Sequence, residues 1–264
     1  METGQSQRGL SAIVLAAGKG TRMKSDLPKV CHEVGGRPMV CAVVDACLEA
    51  GCGRVVAVVG YKQELVREAL SGYGERVEFA EQLEQQGTGH AVRCAAGVYR
   101  GVLGSGAGHD VFVLAGDGPL IRPETLRTLL ARHRERGASA ALATSVISDP
   151  TGYGRIVRDA GGAFLRIVEQ KNATEAELAI REVNPSYYCF DAGRLFSSLE
   201  RVKRNEVSGE YYITDVPELM LSTGERVEVI DAVPPEDVLS INTLEQLAEV
   251  DAIFRARRGG GVAR

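Results

Sequence analysis

The chain has 264 residues, 44% apolar and 25% charged, with 31 Lys plus Arg against 35 Asp plus Glu and a formal net charge of −4. That composition is ordinary for a globular protein with room for a sizeable core, and the slight acidic balance excludes a general nucleic-acid or anionic-membrane surface. No apolar run approaches the roughly 18 residues a membrane helix needs, and the opening "METGQSQRGLSA" lacks the apolar centre of a signal peptide.

Residues 1–10 read as a flexible tail. "AIVLAA" (12–17) reads as a buried strand that runs into a turn on Gly18 and Gly20, with Lys19, Arg22, Lys24 and Lys29 in or just after it. An amphipathic stretch from Pro38 to Ala50 is closed by Gly51. "RVVAVVG" (54–60) precedes a helix over 62–70, with Leu65, Val66, Ala69 and Leu70 on one face. "VEFAE" (77–81) precedes a helix in "GTGHAVRCAAGVY", and "GVLGSGAG" (101–108) reads as a flexible loop. "DVFVLAG" (110–116) leads to a helix entered at Pro123, a residue suited to the first turn, with Leu126, Leu129, Leu130 and His133 at helical spacing. Strand-like runs then come closer together, at 140–147, 154–158, 164–169 and 183–191. Asp215, with Glu218 three residues on, reads as a helix cap. Thr243 reads as the cap of a last helix whose Leu244, Leu247, Ala248 and Phe254 face inward, followed by a tail from 258. The pattern predicts an α/β fold: a Rossmann-like, doubly wound, mainly parallel mixed sheet with a smaller β-rich region beside it. Six cysteines form no C-x-x-C pair and no zinc-like spacing with histidine, which points to buried reduced thiols in a cytoplasmic protein.

The cationic glycine loop is neither of two familiar motifs. Gly18-Lys19 is followed by Gly20 rather than Ser or Thr, so it is not a P-loop, and Gly18-x-Gly20 ends on Met23, so it is not a dinucleotide fingerprint. Its chemistry is nonetheless that of phosphate binding: bared backbone N–H groups at the carboxyl end of a strand, with full charges from Arg22 and Lys29 close by. Asp117, in "VFVLAGDGPLI", falls just past another strand's carboxyl end, so the two features are expected on one rim. A carboxylate beside a triphosphate site suits Mg²⁺. No G-x-S-x-G motif supports a serine hydrolase.

The run L-A-A-G-K-G-T-R-M followed by P-K resembles the signature of the sugar-nucleotide pyrophosphorylases. In order, "EQQGTGHAV", "GDGPLI", "PTGYGRIV", "IVEQKNA", "GEYYITD" and "INT" resemble the uridylyltransferase half of the bacterial bifunctional uridylyltransferases/acetyltransferases acting on N-acetylglucosamine 1-phosphate, from about Leu10 to Arg257. The resemblance implies a nucleotide-diphospho-sugar transferase fold over 11–257. It implies that Leu15, Ala16, Ala17, Gly18 and Lys29 line the nucleotide phosphates, with Arg22 assisting the leaving pyrophosphate. Gln82, Gly87 and Thr88 would read uracil, and Gly116 would flank Asp117. Asp117 and Asn242 would hold Mg²⁺, while Gly154, Glu169 and Asn184 would contact the sugar. Arg22, Lys29 and Asp117 would be the catalytic groups, and no histidine need act, His90 being structural.

The implied reaction takes UTP and N-acetylglucosamine 1-phosphate to UDP-N-acetylglucosamine and pyrophosphate, a step in making cell-wall precursors. Expected partners are these small molecules, without nucleic acid or membrane, in a monomer or weak homo-oligomer. The hexapeptide-repeat acetyltransferase domain of the bifunctional enzymes is expected to be absent. Two departures stand out. Pro185-Ser186 follow Asn184 where the family has a small residue and a glycine, and Gly118 follows Asp117 where a larger residue is common. The sugar is therefore left open between N-acetylglucosamine and another, such as glucose or N-acetylgalactosamine, and a nucleotide-sugar sensor without turnover is the reading from a different class.

Overall fold

β-Branched and small apolar residues at alternate positions build central strands that feed both faces of one sheet. The computed structural model describes residues 8–259. In β1 (Gly9–Ala16), Ala12, Val14 and Ala16 enter the core on one face and Ile13 enters it on the other. A hairpin of β2 (Glu33–Val34) and β3 (Arg37–Pro38) follows, then α1 (Met39–Glu49), β4 (Arg54–Val59), α2 (Gln63–Leu70) and β5 (Val77–Glu81). Next come α3 (Thr88–Cys94), α4 (Ala96–Gly104), β6 (His109–Ala115), α5 (Pro123–Arg136) and β7 (Ala140–Val146). The chain continues through β8 (Gly154–Arg158), β9 (Phe164–Val168), α6 (Glu175–Leu178), β10 (Glu182–Asp191) and α7 (Ala192–Leu199). It ends in α8 (Val216–Ser222), β11 (Val227–Asp231) and α9 (Leu244–Gly259).

The main sheet has the order β11-β7-β10-β6-β1-β4-β5. β6, β1, β4 and β5 run parallel, as do β11 and β7, while β10 lies antiparallel between β6 and β7. Helices α1, α2, α5 and α9 cover one face, and α3, α4, α7 and α8 cover the other. This is the doubly wound, mainly parallel mixed sheet the sequence predicts. The smaller β-rich region is the β8–β9 pair, which joins the sheet through the first residues of β10. There the register shifts between Val183 and Tyr187, and Ser186 takes a left-handed φ of 64°. No described helix is long and apolar enough to cross a membrane.

Several boundaries and faces differ from the sequence reading. β1 spans Gly9–Ala16 rather than the expected 12–17, and α9 continues to Gly259; residues 1–7 and 260–264 of the two expected tails lie outside the described residues. Residues 101–104 of the expected loop are the last turn of α4. Asp215 makes no side-chain cap on α8; its own backbone is already helical, closing the short turn Ile213–Asp215. In α9, Leu244 and Ala248 are exposed, and Leu247, Val250 and Phe254 carry the packing instead. The glycine pair 35–36 explains how α9 docks. Both have positive φ, 63° and 79°, as a two-residue hairpin turn requires. The Gly35 N–H donates to Asp251 Oδ1 at 2.6 Å, and a Cβ on Gly35 would meet the Phe254 ring at 2.6 Å.

Candidate active site

The carboxyl ends of β1, β5 and β6 open onto one cleft of about 510 Å³. β1 ends at Ala16, which is buried in the core rather than exposed to the cleft. Leu15, Ala17 and Gly18 do line it. The Ala17 carbonyl accepts the Tyr61 N–H at 3.1 Å and Gln85 Nε2 at 2.6 Å, so the start of the glycine loop is tied to the segments that follow β4 and β5. Gly20 has φ 67°, and a Cβ there would sit 2.5 Å from Lys29 Cβ. Glycine is required because the loop folds directly onto the lysine. Met23, 1% exposed, anchors the turn in the core while its neighbour Arg22 stays outside.

Lys29 follows Pro28 in a short turn, and its ammonium donates both to Asp117 Oδ2 and, at 2.6 Å, to Asn242 Oδ1. Arg22 donates to the same Asn242 oxygen at 2.7 Å. Asp117 stands just beyond β6 on Gly116, whose N–H donates to the Leu15 carbonyl at 3.0 Å. A Cβ on Gly116 would meet that oxygen at 2.8 Å, so Gly116 acts by letting two strand ends close up and does not itself line the cleft. Asn242 is held from behind. Gln246 Oε1 accepts its N–H at 2.8 Å, and the Gln246 N–H in turn donates to Thr243 Oγ1 at 3.3 Å, the expected Thr243 cap of α9. The Ile241 N–H donates to the Asp117 carbonyl at 3.3 Å and links the two loops.

The far wall comes from the segment after β5. Gln82 is 4% exposed, and Gly87 and Thr88 begin α3. Gly87 has φ 98°, and a Cβ there would strike the Tyr211 carbonyl at 2.6 Å. The N–H of Gly89 donates to that carbonyl at 2.7 Å, so the loop containing Tyr211 braces the wall. Gln85, Thr21, Lys19 and Glu210 also line the cleft and were not singled out as site residues from sequence. Gln85 and Glu210 each had a signal, their places in "EQQGTGHAV" and "GEYYITD", and backbone pairing of Tyr211 with Gln86 and Gly89 brings the two segments together.

Gly154, Glu169 and Asn184 gather elsewhere, at the junction of β8, β9 and β10, and none lines this cleft. Gly154 and Asn184 are register partners across β8 and β10. A Cβ on Gly154 would press on Ile167 at 3.0 Å. Asn184 spends both ends of its amide internally: Nδ2 donates to the Tyr188 hydroxyl at 2.6 Å, and Oδ1 accepts the Ser186 N–H at 3.1 Å. Glu169 accepts the Thr214 hydroxyl at 3.0 Å, yet burial still raises its pKa. Burial, with Glu218 and Glu169 nearby, pushes Asp215 up to about 6.

The donor set can be tested against Mg²⁺. A carboxylate oxygen and an amide oxygen already converge on one cation, the Lys29 ammonium. Two hard oxygens on one face of a phosphate-sized cleft fit a Mg²⁺ that draws its other ligands from phosphates and water. No group of three or more His, Cys, Asp or Glu gathers among the described residues, so any cation here depends on such outside ligands.

Over 248 residues and 94% of its length the chain is 45% identical to the bifunctional protein GlmU of Geobacter metallireducens, covering 51% of that protein. It is 46% identical to that of Brevibacillus brevis over 248 residues, 94% of the chain and 52% of the relative. For Syntrophomonas wolfei the figures are 43% over 250 residues, 94% and 54%. The chain thus spans about half the length of the curated relatives it matches. A solved UDP-glucose pyrophosphorylase complexed with UDP-glucose superposes with a TM-score of 0.72 at 16% identity, covering 94% of this chain and 99% of that one, which establishes the shared fold. The MobA-like NTP transferase domain matches residues 12–207, and the chain belongs to that family.

Proposed function

We propose that the chain transfers uridylyl from UTP to N-acetylglucosamine 1-phosphate, giving UDP-N-acetylglucosamine and pyrophosphate with Mg²⁺. The observation that carries this reading is the convergence of Lys29, Arg22, Asp117 and Asn242 at the mouth of a glycine loop, opposite Gln82 and Gly87. The relatives named bifunctional GlmU support it over the shared half.

A sugar phosphate is already ionised at neutral pH, so attack on the α-phosphorus needs no catalytic base. One of its oxygens forms the new P–O bond while the bond to the bridging oxygen of the β-phosphate breaks, and pyrophosphate leaves with the electron pair. The protein's work is to hold two anions in line and to offset charge on the α-phosphate and the leaving group. Gly18 and Gly20 leave backbone room for the phosphates, Lys29 and Arg22 bring full positive charge to them, and Gln82 with Gly87 and Thr88 orients the base. Mg²⁺ held by Asp117 and Asn242 would add charge neutralisation of the phosphate oxygens. Gly154, Glu169 and Asn184 are assigned to the sugar.

A second reading, another sugar 1-phosphate as acceptor, is favoured by one observation: Asn184 is 5% exposed and already bonded to Tyr188 and Ser186, which leaves one N–H and one lone pair for a sugar. Pyrophosphate release measured with UTP and a panel of N-acetylglucosamine, N-acetylgalactosamine and glucose 1-phosphates separates the two. Fast release with the first alone supports the leading reading, and preference for another moves the acceptor.

A further inference from the structure

Gln82 owes its hydrogen-bonding character to a neighbour that lies outside the cleft lining. Its Nε2 stands 3.0 Å from the Gly87 carbonyl oxygen and 3.1 Å from His90 Nδ1. A carbonyl oxygen only accepts, so the end of the amide facing Gly87 must be the NH₂ group. One of its two hydrogens goes there. The other points at His90 Nδ1, which must then carry a lone pair. His90 is therefore the neutral tautomer with its proton on Nε2, and that nitrogen faces Cys94 Sγ at 3.8 Å, where a thiol sulfur serves as a weak acceptor. The chain of donation runs from Gln82 to His90 to Cys94. Both amide hydrogens are spent, and Oε1, without a partner among the described residues, is what Gln82 has left to offer.

Gly87 could not impose this alone. Its carbonyl is shared, because it also accepts the Ala91 N–H at 3.1 Å as the first bond of α3. His90 is the second wall of the slot.

We infer that His90 is a positioning residue for base selection: it takes up the second hydrogen of the Gln82 amide and commits Gln82 to presenting a carbonyl to the incoming nucleobase. This rests on the reading that the cleft takes a nucleoside triphosphate base-first against Gln82. A fixed acceptor pairs with a base whose ring nitrogen carries hydrogen, as N3 of uracil does. It repels one whose ring nitrogen carries a lone pair, as N3 of cytosine does. The class of ligand selected is a nucleotide whose base carries an N–H on its pairing edge, which among the pyrimidines means uridine rather than cytidine.

The test is equilibrium binding of UTP and CTP by calorimetry, with steady-state kinetics on the same proteins: wild type, His90→Leu and His90→Asn. Asparagine places Oδ1 where histidine places Nδ1 and so restores the acceptor, while leucine removes it. Leucine should weaken UTP binding and cut the UTP-over-CTP preference about tenfold, raising KM for UTP with kcat and the sugar phosphate KM little changed; asparagine should return most of the preference. A leucine variant that keeps the wild-type preference overturns the role of His90. So does an asparagine variant as poor as leucine with a parallel loss of kcat, which marks simple packing. A wild type that binds UTP and CTP equally, or neither, overturns the underlying reading of the cleft instead. Should His90→Leu melt early, ¹⁵N NMR of the wild-type ring decides independently: a protonated Nδ1 contradicts the assignment, and a protonated Nε2 supports it.

Discussion

Lys29 satisfies two oxygens drawn from positions 88 and 213 residues further along the chain, so a single ammonium records the convergence of three loops. Its side chain is 13% exposed and that of Asp117 23%, which shields the pair from much of the screening that weakens surface ion pairs. If these groups serve phosphate chemistry, Asp117→Asn should lower turnover about 10²–10³-fold, while the melting temperature stays within a few degrees of wild type. Near-normal pyrophosphate release from that variant would contradict the assignment. Asp215 gives a prediction of a different kind. Its folded pKa of about 6 lies above the unfolded value, so its contribution is fully present below about pH 3.9 and is lost as pH rises through 6. Asp215→Asn should therefore melt about 2–4 °C higher than wild type at pH 7.5, with the gap closing at pH 4. A gap that persists in acid would sink this explanation.

At the scale of elements, β10 does the most to shape the molecule. It runs antiparallel between β6 and β7, and its irregular start hands two residues to β8. That irregularity sits on Ser186 at φ 64°, a conformation glycine adopts freely and serine does not. Ser186→Gly should stabilise the fold by about 0.5–1 kcal/mol in urea unfolding, since relief of strain outweighs the flexibility glycine adds to the unfolded chain. Destabilisation would mean that the serine side chain holds the bulge. Much of this architecture was legible. Continuous apolar runs in β1, β4 and β6 marked strands buried on both faces, and the glycines after β1 marked a turn at a strand's carboxyl end. The orientation of β10 was not legible, because "VNPSYYCFD" reads the same in either direction. Nor was the exposure of Leu244 and Ala248. Helical spacing gives a face, but the docking of α9 is decided by Gly35, Asp251 and Phe254, which are remote in sequence. In the site, the loop after β1 and Asp117 after β6 share one cleft, while Ala16 and Gly116 lie behind it and Gly154, Glu169 and Asn184 lie apart. Gln246 was missed because its role, holding the Asn242 N–H, looks from sequence like any polar residue of a first helical turn.

Across the whole molecule, Asp237 ties the last helix to the loop that carries Asp117. It is 1% exposed and accepts from both Arg122 and Arg257, while Arg257 also donates to the Leu120 carbonyl at 3.2 Å and the Tyr187 hydroxyl donates to the Asp237 carbonyl at 3.2 Å. Asp237→Ala should cost about 2–3 kcal/mol in urea unfolding, below the range for fully buried pairs because both arginines keep some solvent. A loss under about 0.5 kcal/mol, the scatter of ordinary surface changes, would show that α9 does not depend on this tie. At the opposite end of the sheet, buried Asp110 has a lowered pKa: burial works against its charge, but hydrogen bonds from His133, Arg8 and Arg134 outweigh it. The two ends differ in purpose. At one end the charges close on buried Asp110, and at the other Arg22, Lys29 and Asp117 face an open cleft.

Uridylyl transfer in this cleft is tested by pyrophosphate release from the purified chain with Mg²⁺, UTP and each of the three sugar 1-phosphates. Rapid release that depends on both UTP and a sugar 1-phosphate is expected, strongest with N-acetylglucosamine 1-phosphate and collapsing in Asp117→Ala. No release with any of the three, from a folded protein that binds UTP, would contradict it.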